Sequence, residues 1–344
     1  MPTLAITQDT ISVRMEQSHL ELINRPSSGD PEDSPVRLHV PLNDIERVVL
    51  IGCPGVSIAV FHRLLSLGIP VSFLSAHHRW LGALSSENPG NAERRLLQYR
   101  RFSDEAFCLL VASELISCKI RNSRRVLQRL SAPRGESADS KQVRISGELE
   151  SLQKRVEALP GSMDELRGLE GLAAALYFER LQDFFPEDLP FGERSRQPPK
   201  NEANSLLSWT YSVVLGEIFS RIRVHGLDPY LGVLHSTSFQ RPSLALDLLE
   251  VFRAPLCDML VMHLFNHRIL RKEHFRRSST EEGVYLKPES RALFFPSYEA
   301  AMSRMFMLKA GTSHTCFRSL IDQQVLMMIR VLEDRQEYEF FCMP

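Results

Sequence analysis

The sequence predicts an α+β multidomain chain, a small N-terminal β-rich domain followed by a larger all-α C-terminal domain. Three observations predict it. Residues 1–84 carry short segments of alternating apolar and polar residues. From Arg94 onward the apolar residues recur at three- and four-residue spacing over many turns. Between them SSENPGNAE, with Ser85, Ser86, Pro89 and Gly90, reads as a linker. The expected division is therefore 1–84, a linker at 85–93, and 94–344.

In the first part TLAITQD and ISVRME alternate, LELINR follows, and RLHVPLNDIERVVLIG supplies two more strand-like pieces. VSIAVFHRLLSLGIPVSFLS reads as a helix running through Gly68 and Pro70 into a short buried strand, and HRWLGAL as a last strand. In the second part RRLLQYRRFSDEAFCLLVASELISCKIRNSRRVLQRL, SGELESLQKRVEAL, MDELRGLEGLAAALYFERLQDFF and NSLLSWTYSVVLGEIFSRIRVHG read as helices, the last ended by Gly226. SAPRGESADSKQ is a polar loop and PEDLPFGERSRQPPKN a Pro-rich irregular connection. A further helix starts at Pro242, since proline suits a first helical turn.

With 43% apolar and 24% charged residues, the composition is that of an ordinary soluble globular protein. No apolar run reaches the ~20 residues of a membrane span, and MPTLAITQDTISVRM has no signal-peptide pattern. The expectation is a cytoplasmic protein with no membrane partner. The six cysteines stand singly, without a CxxC pair, which speaks against a zinc site or a disulfide framework. P-loop, Rossmann and GxSxG patterns are absent from the sequence, so nucleotide hydrolysis and serine-hydrolase chemistry have no support. The net charge of −1 argues against nucleic acid, but local charge differs. Glu93 to Arg129 is strongly basic, with Lys119, Arg121, Arg124 and Arg125 among its cations. NHRILRKEHFRR, with Arg268, Arg271 and Lys272, forms a second basic cluster.

Asp247 and Glu250 lie three apart in the apolar run SLALDLLEVF, and so on one face of a helix. Carboxylates in such surroundings are costly unless paired, hydrogen-bonded or bound to a metal. Arg253 or another arginine pairing them is one reading, a Mg²⁺ or Mn²⁺ site the other. Glu170, in RGLEGLAAALYF, is a second acid beside a buried stretch, although a glutamate early in a helix also suits the dipole. His235 closes GVLH before the polar turn STSFQ. Together these residues would fit a divalent-metal nuclease centre. His263 and His267 have the spacing of a helical metal pair but no third ligand in a recognisable pattern, and His77-His78 reads as surface or interface.

Over nearly its full length the chain resembles the CRISPR adaptation integrase family, metal-dependent endonucleases that insert spacers into CRISPR arrays. The resemblance is carried by GLEGLAAALYF, PPKNEANSLLSWTYSVV, GLDPYLGVLH and SLALDLLEVFRAP, supported by KIRNSRRVL and EEGVYLKPESRALFF. It departs from the family pattern at Asn201, where aspartate is expected, and at Val251, where a second acid is frequent. The resemblance implies a β-sandwich-like N-terminal domain. It also implies divalent-metal ligands Glu170, His235 and Glu250, with Asp247 lining the same catalytic site.

It further implies a homodimer formed through the N-terminal domain, a small ferredoxin-like CRISPR-associated partner protein, and double-stranded DNA as substrate. The reaction implied is transesterification: a 3′-hydroxyl of a short duplex attacks a phosphodiester at a CRISPR repeat. The basic residues at 119, 121, 124, 125, 268, 271 and 272 would track phosphates. Two alternatives stand beside this reading: a metal-dependent nuclease on branched or single-stranded DNA, and a non-enzymatic scaffold in which the acids form a buried structural network.

Overall fold

The structure, a computed structural model, describes residues 3–24, 35–77, 79–86, 92–132, 139–195, 198–235, 241–278, 282–308, 314–334 and 339–343. The N-terminal region forms two four-stranded sheets. One has the order β1 (Thr3–Ile6), β5 (Arg47–Ile51), β7 (Val71–Leu74), β8 (Trp80–Leu84). Its first three strands run parallel and β8 is antiparallel to β7. The other has the order β4 (Val36–Pro41), β3 (His19–Asn24), β2 (Ile11–Glu16), β6 (Gly55–Val56), with β6 parallel to β2. The expected strands are all present, and so is helix α1 (Ile58–Ser66). Among the described residues of this region the two-residue β6 is the one additional strand, too short to show a period.

Strand β5 explains why RVVLI is apolar without alternation. Val48 and Leu50 join Ile6, Val13, Leu20, Val60 and Leu64 in the core between the sheets and α1. Val49 and Ile51, on the other face, join the core of the helical region. A strand buried on both sides has no polar face to show.

The helices are α2 (Ala92–Phe102), α3 (Glu105–Ser131), α4 (Ser140–Glu157), α5 (Met163–Leu181), α6 (Glu202–Val224), α7 (Ser243–Phe252), α8 (Met259–Asn266), α9 (Phe294–Ser303) and α10 (Phe317–Leu332). Their starts follow the sequence. Asp104 accepts from the amides of Ala106 and Phe107 at 3.0 and 3.2 Å. Ser162 accepts from Glu165 N at 3.2 Å, and Asn201 from Asn204 N at 2.8 Å. The asparagine at 201 thus serves as a helix cap. Gly226, at φ +78°, follows α6 as expected.

Helix α3 packs on α4, α5 and α7, while α6 lies between the sheet edge at β7–β8 and α7. Gly216 allows that approach: a Cβ there would stand 3.0 Å from Ser72 Oγ. The helical region also carries two short antiparallel ribbons, β9 (Phe275–Arg277) with β10 (Val284–Leu286), and β11 (Phe306–Met307) with β12 (His314–Thr315). Most of the linker (87–91), half of the polar loop (133–138), the turn STSFQ (236–240) and His78 lie outside the described residues.

Candidate metal and nucleic-acid site

Three helices and one loop converge on a cleft of about 370 Å³. Lys119 comes from α3, Glu170 from α5, Glu250 from α7, and His235 from the segment between α6 and α7. Lys119 Nζ forms an ion pair with Glu170 Oε1 and lies 2.8 Å from Glu250 Oε2. The Glu250 side chain is 5% exposed and that of Glu170 29%, so the pair runs from a buried floor to a wetted wall. Arg253 Nε stands 3.0 Å from Glu250 Oε2, the pairing weighed from the sequence. Burial pushes the Glu250 carboxyl up, but Arg253 and Lys119 outweigh it and hold the group at about 2.

Proximity here is not alignment. Glu250 Oε2 and Arg253 Nε are buried, and neither has a hydrogen-bond partner of good geometry. Glu250 Oε2 is thus held by the charge of two nearby cations, Lys119 and Arg253, rather than by aligned hydrogen bonds.

Asp247 sits behind the cleft wall and is fully buried. Its carboxylate accepts from the amides of Val233, Leu234 and His235 at 2.6, 3.1 and 3.1 Å, and meets His235 Nδ1 at 2.5 Å. This anion therefore shapes the loop and holds the imidazole. With Nδ1–H donated to Asp247, Nε2 carries the free lone pair, and it lies 3.9 Å from Glu250 Oε1. Arg167 fastens the same loop from α5, donating to Leu234 O at 3.0 Å.

Two carboxylates and an imidazole nitrogen are an oxygen-and-nitrogen donor set that suits Mg²⁺ or Mn²⁺. The residues present fit such an ion: an unaligned buried oxygen on Glu250, a free Nε2 on His235, and Glu170 across a bridging cation. Among the described residues, the one His/Cys/Asp/Glu trio whose ligand atoms all lie within 4.8 Å is elsewhere, Glu16, Glu21 and His39. Glu21 and His39 are cross-strand neighbours on β3 and β4, and Glu21 already pairs with Arg37 at 2.8 Å. That trio is an ordinary cross-strand charge cluster. The rings of His263 and His267 lie tilted at 40° to each other, with centroids 4.2 Å apart.

Of the seven basic residues singled out from the sequence, only Lys119 lines the cleft. Arg124 pairs with Glu150 at 2.5 Å and Arg268 with Asp188 at 2.5 Å. Arg125 reaches Gln128 at 3.4 Å, Arg271 is 3.9 Å from Glu273, and Arg121 and Lys272 are exposed. The cleft's arginines are instead Arg167, Arg194, Arg241 and Arg253.

Sequence reasoning also missed the inner wall. Asp258 accepts from Tyr177 OH at 2.8 Å and from Tyr211 OH at 2.6 Å. The Arg253 guanidinium lies 4.6 Å from the Tyr211 ring centroid. Arg253 to Asp258 form one π-helical stretch containing Pro255, a widened turn of the kind often found at functional sites. Asp258, in the apolar run LCDMLVM, shows the same sequence signal as Asp247.

The family model described as CRISPR associated protein Cas1 matches residues 4–300. The chain is 31% identical over 327 residues to a CRISPR-associated endonuclease Cas1 of Thermodesulfovibrio yellowstonii, covering 94% of this chain and 98% of the relative. It resembles the structure of a CAS1 protein from Thermotoga maritima at TM-score 0.78 and 26% identity, covering 98% and 99% of the two chains. A casposase bound to integration product shares the fold at TM-score 0.85 and 21% identity, covering 100% of this chain and 94% of that one. A Cas6-RT-Cas1–Cas2 complex shares it at TM-score 0.79 and 24% identity, with 98% of this chain covered but only 35% of the longer chain it matches. With a match of this extent, on a β-rich region followed by a mostly helical one, the chain belongs to the Cas1 family of CRISPR-associated proteins.

Proposed function

We propose that this protein is a divalent-metal-dependent DNA integrase of CRISPR adaptation, joining the 3′ ends of a short duplex to a CRISPR repeat. The observation that carries the reading is the convergence of Glu170, His235 and Glu250 on one cleft, with His235 fixed in orientation by buried Asp247. Glu170, His235 and Glu250 would hold Mg²⁺ or Mn²⁺. When bound, the ion supplies Lewis-acid polarisation of the scissile phosphate and neutralises charge in its pentavalent transition state.

The chain's own residues do the rest. Asp247 keeps the His235 proton on Nδ1, leaving Nε2 to donate its lone pair. Arg167, Arg194, Arg241 and Arg253 ring the cleft with positive charge suited to phosphates. The attacking 3′ oxygen forms a new P–O bond and loses its proton to solvent. The repeat strand's 3′ oxygen leaves with the electrons of the broken P–O bond and is protonated in turn.

Residues 1–84 would serve as the dimerisation domain, joined by 85–93 to a catalytic domain at 94–344. Edge strand β4 supports a homodimer, since Val36 and Leu38 on it are 70% and 57% exposed. The partners proposed are duplex DNA and the small ferredoxin-like Cas2, in the cytoplasm; no helix among the described residues is long and apolar enough to cross a membrane. Arg121, Arg124, Arg125, Arg268, Arg271 and Lys272 remain proposed phosphate contacts outside the cleft.

The test is strand transfer. A labelled duplex with free 3′-hydroxyls is mixed with a repeat-bearing plasmid, purified protein, Cas2 and Mg²⁺ or Mn²⁺, beside a 3′-dideoxy control. Label joined to plasmid only with the free hydroxyl is the expected result. Cutting without joining would replace integration by plain nuclease action.

A further inference from the structure

Lys119 occupies a position that its sequence neighbours reserve for the core. On α3, Leu115, Ile116, Ile120, Val126 and Leu127 are buried, and Lys119 follows Leu115 and Ile116 at four and three residues. Its side chain is 16% exposed, and its ammonium is shared by Glu170 and Glu250, which come from two other helices. Without it, Glu250 would keep Arg253 as a contacting cation, and Glu170 would lose its ion pair.

We propose that Lys119 is the resident counter-ion of the site, a tethered cation that must leave the carboxylates when a divalent ion binds; this rests on the metal reading above. Three observations support it. Lys119 bridges Glu170 and Glu250, the same two carboxylates that would hold the metal. Lys119 and Arg253, the cations in contact with these carboxylates, offset Glu170 and Glu250, and Arg167, Arg194 and Arg241 add further positive charge to the cleft, so a divalent ion meets no net negative charge there. The withdrawing group is a lysine, a compact charge on a flexible stem, bordering an open cleft of about 370 Å³. Arg253 is held over the Tyr211 ring and is not built to move. Lys119 is in this sense a positioning residue that sets metal occupancy: the free protein rests self-neutralised.

The experiment is Mn²⁺ binding by titration calorimetry on the full chain, in a Glu16→Gln background that silences the exposed cluster at Glu16, Glu21 and His39. Lys119→Met should bind Mn²⁺ about tenfold or more tightly than the parent, because one competing charge is gone. In chelator its melting temperature should fall, and the rise on adding Mn²⁺ should exceed the parent's. Lys119→Arg, which restores a cation, should return the affinity to within about threefold of the parent. Equal or weaker binding by a folded Lys119→Met overturns the proposal while leaving the metal reading intact. No saturable binding by either protein overturns both.

Discussion

Asp247 Oδ1 lies 2.5 Å from His235 Nδ1 and also accepts the backbone N–H of His235 at 3.1 Å. One buried acid thus fixes both the ring and the main chain of the residue it serves. Asp247→Asn keeps the size but removes the charge that holds Nδ1 protonated. Metal affinity and strand transfer are expected to fall by about 10- to 100-fold, the usual effect of losing a group that orients a ligand. Mn²⁺ titration and joining rates check this; an unchanged affinity would make Asp247 a loop anchor only.

The same loop sets a steric demand at Gly232. A Cβ there would collide with Asp247 Oδ2 and stand 2.8 Å from the Ser243 carbonyl carbon and 2.9 Å from Leu244 N. Gly232→Ala is expected to cost about 1–3 kcal/mol of stability by overpacking, read from denaturant midpoints, and to loosen His235 at the same time.

Glu250→Gln separates enzyme from scaffold. As an enzyme the variant should keep a cooperative fold and DNA binding but lose joining by at least about 100-fold, since a metal ligand loses its charge. As a structural network it should chiefly lose melting temperature, because Lys119 and Arg253 would each lose a partner.

These residues show what the sequence could reveal. Asp247 and Glu250 stand out because an acid in an apolar run needs a reason, Glu170 and His235 enter the ligand set with the family resemblance, and the structure places all four within one neighbourhood. Lys119 is legible as a cation of the basic stretch Glu93–Arg129, where it is expected to track phosphates. Its place within the Leu115–Ile116–Ile120 stripe was the signal for an inward-facing side chain. Tyr177 and Tyr211 lie in helices, and their bonds to Asp258 join segments far apart in sequence, which no local period reports. Long helices and strands were legible from periodicity. The ribbons β9–β10 and β11–β12 were not, because two or three residues cannot show a repeat.

Asp258 gives a pH prediction. Burial raises its carboxyl to about 6, although the hydroxyls of Tyr211 and Tyr177 pull it down. A carboxyl raised above its unfolded value of 3.8 contributes stability below that value and loses it as pH rises through about 6. Between pH 4 and 6 this group should therefore lower stability, by an amount on the order of 3 kcal/mol at most. Asp258→Asn should flatten that limb of the stability profile measured by denaturation. A slope unchanged in the variant would place its cause elsewhere.

The join between sheet and helices rests on another buried acid. Arg47, at the start of β5, forms an ion pair with Glu217 of α6 and donates to Tyr298 OH of α9 at 3.1 Å. Arg318 of α10 holds the other Glu217 oxygen at 3.1 Å, and its own Nη2 lies 3.1 Å from Glu299. The side chains of Arg47 and Glu217 are 7% and 4% exposed, so solvent screens the pair little. Arg47→Met leaves Glu217 buried with one arginine fewer, a change expected to cost about 3–5 kcal/mol. Arg47→Met with Glu217→Gln removes both charges and should recover part of the loss, though Arg318 then faces a neutral amide. A double-mutant cycle from thermal or denaturant unfolding measures that coupling. Additive single effects would mean the pair joins the sheet to the helices by packing alone; a coupling of 1 kcal/mol or more, about the size found for contacting pairs, would mean the charges fix how the β-rich region seats on the helices that build the site.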